Sequence, residues 1–197
     1  MKIKISIFIL IITLLTFFVT GELNSKKNRT VITSAAPPVI TPIESETTSS
    51  MDSPDGEKTL MIEKKDNFYT IFITNNSDGN KTQVFRKEKI NSSQLEIPYN
   101  TWSPDNFYFF LKEKNASVDN YLVFQSSGES FLNNQPYLSI QEPFKINVPN
   151  YTIEEVTGWA GPNLLIVNAK QNDSDSKISF WYEVPSQAVI QLGTYFK

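Results

Sequence analysis

The sequence predicts an all-β fold: a partial or small β-propeller-like arrangement of about three antiparallel blades, preceded by an N-terminal hydrophobic helix and a disordered linker. Three observations carry that expectation. A turn-then-strand unit recurs, with Trp102 answered by Trp159 and Pro104 by Pro54. The spacing, roughly 50–60 residues, suits blades of three or four strands. Alternating or aromatic runs follow these turns, separated by hairpin signals such as Asp78-Gly79, where glycine supplies a positive φ without steric cost. Beyond the first twenty residues no stretch shows helical periodicity.

The chain opens with a targeting or anchoring segment, residues 1–21. Lys2 and Lys4 precede Ile5–Val19, an apolar run broken only by Ser6, Thr13 and Thr16. That run is long for the core of a signal peptide and short for a spanning helix, which needs about 20 residues. Val19 and Gly21 are small enough for a cleavage site after Gly21. The segment is therefore expected to be an uncleaved anchor or a cleaved signal peptide, with a buried soluble helix as the remaining alternative. No cysteine follows, so a lipoprotein anchor is excluded. Either main reading puts the rest of the chain at the cell envelope, membrane-anchored and facing outward, or secreted or periplasmic after cleavage.

Residues 22–50 read as a disordered linker rich in Ser, Thr, Pro and Glu, with no aromatic residue. Ala35-Ala36-Pro37-Pro38 and Thr41-Pro42 favour extended conformations. Such a stretch buries too little apolar surface to offset the entropy of ordering it. An O-glycosylated stalk is the functional alternative.

Residues 51–197 are the folded domain. In its first unit Asp52-Ser53-Pro54-Asp55-Gly56 is the turn, and Thr59–Glu63, Phe68–Thr74 and Thr82–Arg86 are the strands. The second unit turns at Trp102-Ser103-Pro104-Asp105. Pro104 presets φ for a β-turn, and Asp105 and Asn106 suit the positions after it. Asn106–Lys112 and Tyr121–Gln125 are its first strands, and Ser130–Leu132 begins a third. The third unit opens at Gly158-Trp159-Ala160-Gly161-Pro162-Asn163, followed by strands Leu164–Asn168, Lys177–Glu183 and Gln187–Leu192. Glu154–Thr157 is expected to form the innermost strand of that blade. In the long connection before it, Tyr137–Ile140 and Phe144–Val148 are expected as an extra hairpin.

These turns resemble the repeats of TolB-type β-propellers, a family sharing its repeat with propeller domains of prolyl-oligopeptidase-like peptidases. The family's blade begins Trp-Ser-Pro-Asp-Gly. Trp102, Ser103, Pro104 and Asp105 match, with Asn106 in place of Gly; Ser53, Pro54, Asp55 and Gly56 match, with Asp52 in place of Trp; in the third unit only Trp159 is retained, before a degenerate turn containing Pro162. The resemblance covers residues 51 to about 192 and implies a fold rather than a reaction. Propellers close with about four to eight blades, so three blades imply exposed sheet edges. The domain is expected to cap itself, to complete a ring by dimerising three plus three, or to dock on a partner.

The net charge of −3 argues against nucleic acid as a partner. With no Cys and no His the chain lacks a disulfide framework, a thiolate and the commonest general base. No Ser-His-Asp triad is possible, and no Gly-rich phosphate loop occurs. The peptidase branch of the resemblance transfers no catalytic residue. Asp173–Ser176 and Asn75–Asn80 offer oxygens but lack a calcium-loop pattern, so no metal or other cofactor is expected. The turn residues Pro54, Asp55, Gly56, Trp102, Pro104, Asp105, Trp159 and Pro162 are read as repeat turn and core. In Phe180-Trp181-Tyr182 neighbours face opposite sides of a strand, and Trp181 and Tyr182 are the candidate ligand contacts. The expected function is non-catalytic: an extracytoplasmic scaffold or protein-interaction domain, with a protein partner or self-association, tethered through its N-terminal segment. The alternative is a carbohydrate-binding module using exposed aromatics.

Overall fold

The computed structural model describes residues 46–90 and 92–195. The predicted anchor and nearly all of the predicted linker lie outside these residues. Among the described residues no helix is long and apolar enough to cross a membrane.

Among the described residues twelve strands form three four-stranded antiparallel sheets, each a simple meander in chain order. The first holds β1 (Thr47–Asp52), β2 (Lys58–Lys65), β3 (Phe68–Asn75) and β4 (Lys81–Glu88). The second holds β5 (Gln94–Glu96), β6 (Tyr108–Lys114), β7 (Asn120–Gln125) and β8 (Leu138–Ser139). The third holds β9 (Tyr151–Gly161), β10 (Leu164–Gln171), β11 (Lys177–Glu183) and β12 (Ala188–Tyr195). An α-helix, α1 (Gln141–Asn147), lies between β8 and β9.

The second sheet is the middle layer, which explains its continuous apolar runs. Phe109 and Leu111 of β6, with Leu122 and Phe124 of β7, pack against Leu60, Ile62, Ile71 and Ile73 of the first sheet. Phe110 with Tyr121 and Val123 points the other way, against Leu165, Val167 and Phe180 of the third. The outer two sheets instead alternate. Leu60 and Ile62 are buried, while Met61 between them and Glu63 after them are only half-buried.

The internal repeat is written in the register. Asp52 pairs with Thr59, Trp102 bridges Phe109 and Trp159 pairs with Leu165. Trp102 and Trp159 therefore occupy one structural position, and Asp52 takes it in the first sheet. The next residues, Leu60, Phe110 and Ile166, share the face pointing toward the following sheet.

The structure departs from expectation in five places. Thr47–Ser50, assigned to the linker, belong to β1. This strand exposes every residue except the half-buried Met51 and is held by backbone pairing to β2, so its hydropathy carries no signal. The second unit closes at Leu138–Ser139 and not at Ser130–Leu132; Leu132–Asn134 form a 3-10 turn in which Asn133 and Asn134 take positive φ. Residues 144–147 belong to α1 rather than a hairpin. Pro143 sits in the first turn of that helix, where its missing N–H costs nothing. Trp159 lies within β9, and the turn itself is reduced to Pro162-Asn163. A bulge in β9 leaves both Glu154 and Glu155 exposed, where simple alternation sets them on opposite faces.

A candidate binding cleft at the repeat turns

Two of the three repeat turns are built alike, bond for bond. In the first, the Ser53 hydroxyl donates to Asp55 Oδ1 at 2.6 Å and accepts the Lys58 N–H at 2.9 Å. In the second, the Ser103 hydroxyl donates to Asp105 Oδ1 at 2.6 Å and accepts the Tyr108 N–H at 2.9 Å. The Asp carboxylate then accepts a further backbone N–H, from Glu57 or Phe107. This explains the Ser-Pro-Asp spacing: proline sets the turn, and serine and aspartate satisfy the backbone donors that it leaves unpaired. Ser103 is fully buried. Ser103→Ala strands the Tyr108 N–H and is expected to cost about 1–3 kcal/mol in urea unfolding.

Gly56 and Asn106 close the two turns with φ of 75° and 58°. Asparagine tolerates this left-handed region better than other side chains, so its replacement of glycine is structurally consistent. It also gains a role. Asn106 Nδ2 donates to Asp55 Oδ2 at 2.5 Å, joining the first turn to the second. Lys58 Nζ reaches Ser126 Oγ at 2.9 Å, and Ser126 Oγ donates to the Asn106 carbonyl at 2.7 Å. The Ser53 hydroxyl, then the Glu57 N–H, hold the Asp55 carboxyl below its ordinary range. The sign follows: this contribution is present above the ordinary carboxylate pKa and is lost as pH falls through the depressed value. Asp55→Asn is expected to flatten the acid limb of a stability-against-pH curve.

The tryptophans stitch each sheet to the one before it. Trp102 Nε1 donates to the Met51 carbonyl at 3.4 Å, and Trp159 Nε1 to the Thr101 carbonyl at 3.0 Å. Met51 and Thr101 each precede the shared repeat position, so one contact is made twice. Trp102 is 6% exposed and packs on Phe109. Trp159 is half-buried and stacks on Tyr108. Both act as packing residues.

Where the first two turns meet β9 and β10 of the third sheet they line an open cleft of about 760 Å³. Asp52 and Pro54 come from the first unit, Trp102 and Pro104 from the second, and Gly158 and Trp159 from the third. Tyr99, 89% exposed, stands at its edge. The carboxylate among the lining residues is Asp52, which accepts the Thr59 hydroxyl at 2.6 Å. The lining therefore offers apolar and aromatic contact and backbone polarity, the makings of recognition rather than proton transfer. Among the described residues no cluster of three or more His, Cys, Asp or Glu is placed to hold a metal.

The structure brings Pro54, Trp102, Pro104 and Trp159 to this cleft. Asp55, Gly56 and Asp105 shape the turns behind it, and Pro162 caps the β9–β10 hairpin away from it. Tyr182 is corrected: it is fully buried in the core of the second and third sheets and cannot meet a surface ligand. Its hydroxyl has no hydrogen-bond partner, and burial pushes its pKa well up. Tyr182→Phe removes an unsatisfied buried hydroxyl and is expected to leave stability unchanged or raise it by about 1 kcal/mol in thermal unfolding. Trp181 lies on the opposite, outward face, paired with Ile166 and Ile190. Sequence reading missed Tyr99 and Asn100, and it took Gly158 as the opening of the third unit without placing it at a site.

What the fold and cleft define is an all-β domain of three successive four-stranded meanders. No family model matches the chain, and no curated protein matches it. Among solved structures it is similar to the dipeptidyl peptidase 4 of Porphyromonas gingivalis, with a TM-score of 0.48 and 13% sequence identity over 73% of this chain and 25% of that one. The chain thus spans about a quarter of that structure's length. A likeness of this size says nothing about activity. The TolB-type resemblance rests on the repeat residues alone.

Proposed function

We propose that this chain is a non-catalytic interaction domain of the cell envelope, built from three TolB-like propeller-type blades. Its N-terminal segment tethers it to the membrane, and it faces outward. The observation that carries the reading is the third sheet's outward face. Ile166, Trp181 and Ile190 form an apolar row there, and Ile190 is 44% exposed. Ile166 also lines the turn cleft, so row and cleft form one surface. A protein partner suits a surface with a central aromatic anchor and a charged margin.

The test is cross-linking in intact envelopes with a photoreactive group at Ile190, using one at Thr70 on the outward face of the first sheet as the comparison. A protein adduct confined to Ile190 is the expected result; equal labelling from both positions counts against it. The second reading, glycan binding, is favoured by Trp181 on a sheet face and by Tyr99 at the cleft edge. It predicts a tryptophan fluorescence change on titration with sugar oligomers, lost in Trp181→Ala.

A further inference from the structure

We infer that the free edge of β1 takes an extended peptide as an added strand, and that this peptide carries a basic residue held by Asp52 at the turn cleft. The site goes beyond the interaction-domain reading, which rests on the third sheet's outward face; Ile190 takes no part here.

The first support is the backbone. The Ser53 N–H donates to the Lys58 carbonyl. From there β1 runs beside β2 with no break in register, from Asp52 opposite Thr59 to Thr47 opposite Lys64. Bonding alternates along an antiparallel pair. Residues 47, 49 and 51 therefore bond to β2, while Thr48, Ser50 and Asp52 turn their N–H and C=O groups to the free side. Among the described residues no backbone group answers them, and Thr47–Ser50 are exposed throughout.

The second support is that every other sheet edge among the described residues is guarded. β5 and β8 have only three and two residues. β4 bulges opposite Ile71–Phe72 and carries Lys81, Arg86 and Lys87. β9 breaks register three times and exposes Glu154 and Glu155. β12 breaks register beside Ile178–Phe180. Shortness, bulges and charges are the usual defences against strand pairing. β1 has none of them between Thr47 and Met51. Such an edge offers main-chain affinity to an extended chain and leaves the choice of chain to neighbouring pockets.

The cleft supplies that choice, because β1 runs into it at Met51 and Asp52. Asp52 is exposed and accepts the Thr59 hydroxyl, and among the described residues it has no cation beside it. Tyr99 and the half-buried Trp159 line the same cleft. A lysine or arginine on a strand opposite Asp52 gains a carboxylate and aromatic faces together. This charge match also decides against a second copy as the occupant. β1 contains no basic residue, so β1 paired with β1 leaves Asp52 without a cation.

The experiment adds to the full chain, in mild detergent, a blocked Thr/Val peptide of about seven residues. One lysine near its N-terminus comes opposite Asp52 in antiparallel pairing. Saturable binding is expected, with slowed hydrogen exchange at the Thr48 and Ser50 amides. N-methylation of the alternate peptide residues that face β1 should abolish binding, and N-methylation of the intervening ones should not. Asp52→Asn, or glutamate in place of the peptide lysine, should weaken binding about fivefold or more at low salt. Ser50→Pro removes an N–H that β2 does not use, so it should abolish binding with the melting temperature nearly unchanged. Should that variant fold poorly, Asp52→Asn and the methylated peptides carry the test. No binding up to about 1 mM peptide overturns the inference, as does binding indifferent to N-methylation. So does protection of the Thr48 and Ser50 amides that rises with chain concentration alone, which makes a second copy the occupant. If the peptide fails and Ile190-specific adducts still form in envelopes, only this inference falls. If the peptide binds and those adducts do not form, only the third-sheet reading falls.

Discussion

Trp102→Ala is expected to destabilise the domain by about 3–5 kcal/mol, the range for deleting a buried aromatic. The residue is nearly fully buried and packs on Phe109 at a ring-centroid distance of 5.5 Å. Its removal opens a cavity in the core shared by the first two sheets and deletes the indole bond to Met51. Trp102→Phe separates the two effects. It keeps a ring against Phe109 and loses the hydrogen bond, so a cost nearer 1 kcal/mol is expected. Denaturant unfolding monitored by Trp159 and Trp181 fluorescence measures both. A cost below about 1 kcal/mol for the alanine variant shows that the first two sheets do not depend on this stitch.

Gly158→Ala carries the second large effect. Gly158 has a φ of +140°, a backbone conformation open to glycine and strained for other residues. A Cβ there would lie 2.8 Å from Asn100 Cβ and 3.3 Å from Asn100 Nδ2. Asn100 cannot simply withdraw, because its Nδ2 donates to the neighbouring Thr157 carbonyl at 3.1 Å. Strain and overpacking together are expected to cost roughly 2–5 kcal/mol. Asn100→Gly added to Gly158→Ala removes the clash but not the strained φ, so it should recover only part of the loss. Full recovery in urea unfolding places the whole cost in the side-chain contact; no recovery places it in the backbone.

The parts of the fold legible in the sequence are those where a local signal and the tertiary structure agree. Phe68–Asn75 alternates because one face meets the core, and the Asp78-Gly79 turn is spelled out. Lys177–Glu183 was bounded by a polar loop and a proline turn, and the strand fills that interval. What was illegible had no apolar pattern to show. β1 is an edge strand of Thr and Ser held by its backbone. α1 is too short for a periodicity to register and contains a proline besides. The site follows the same logic. Ser, Pro and Asp at the turns bond locally, so their motif was readable. The bond from Asn106 to Asp55 and the closeness of Gly158 to Asn100 join distant segments, and no local pattern encodes them. Trp181 and Tyr182 show both sides: alternation required one to face outward but could not say which, because that depends on which face the middle sheet covers.

The buried middle sheet bears on how the chain is made. The first meander is complete once Glu88 has emerged, yet its apolar face (Leu60, Ile62, Ile71 and Ile73) waits for Leu122 and Phe124 to cover it. At roughly 5–20 residues per second of synthesis, the nascent chain carries that uncovered face for some seconds. A holding chaperone, or passage through a secretion channel before folding, would have to shield it during that interval.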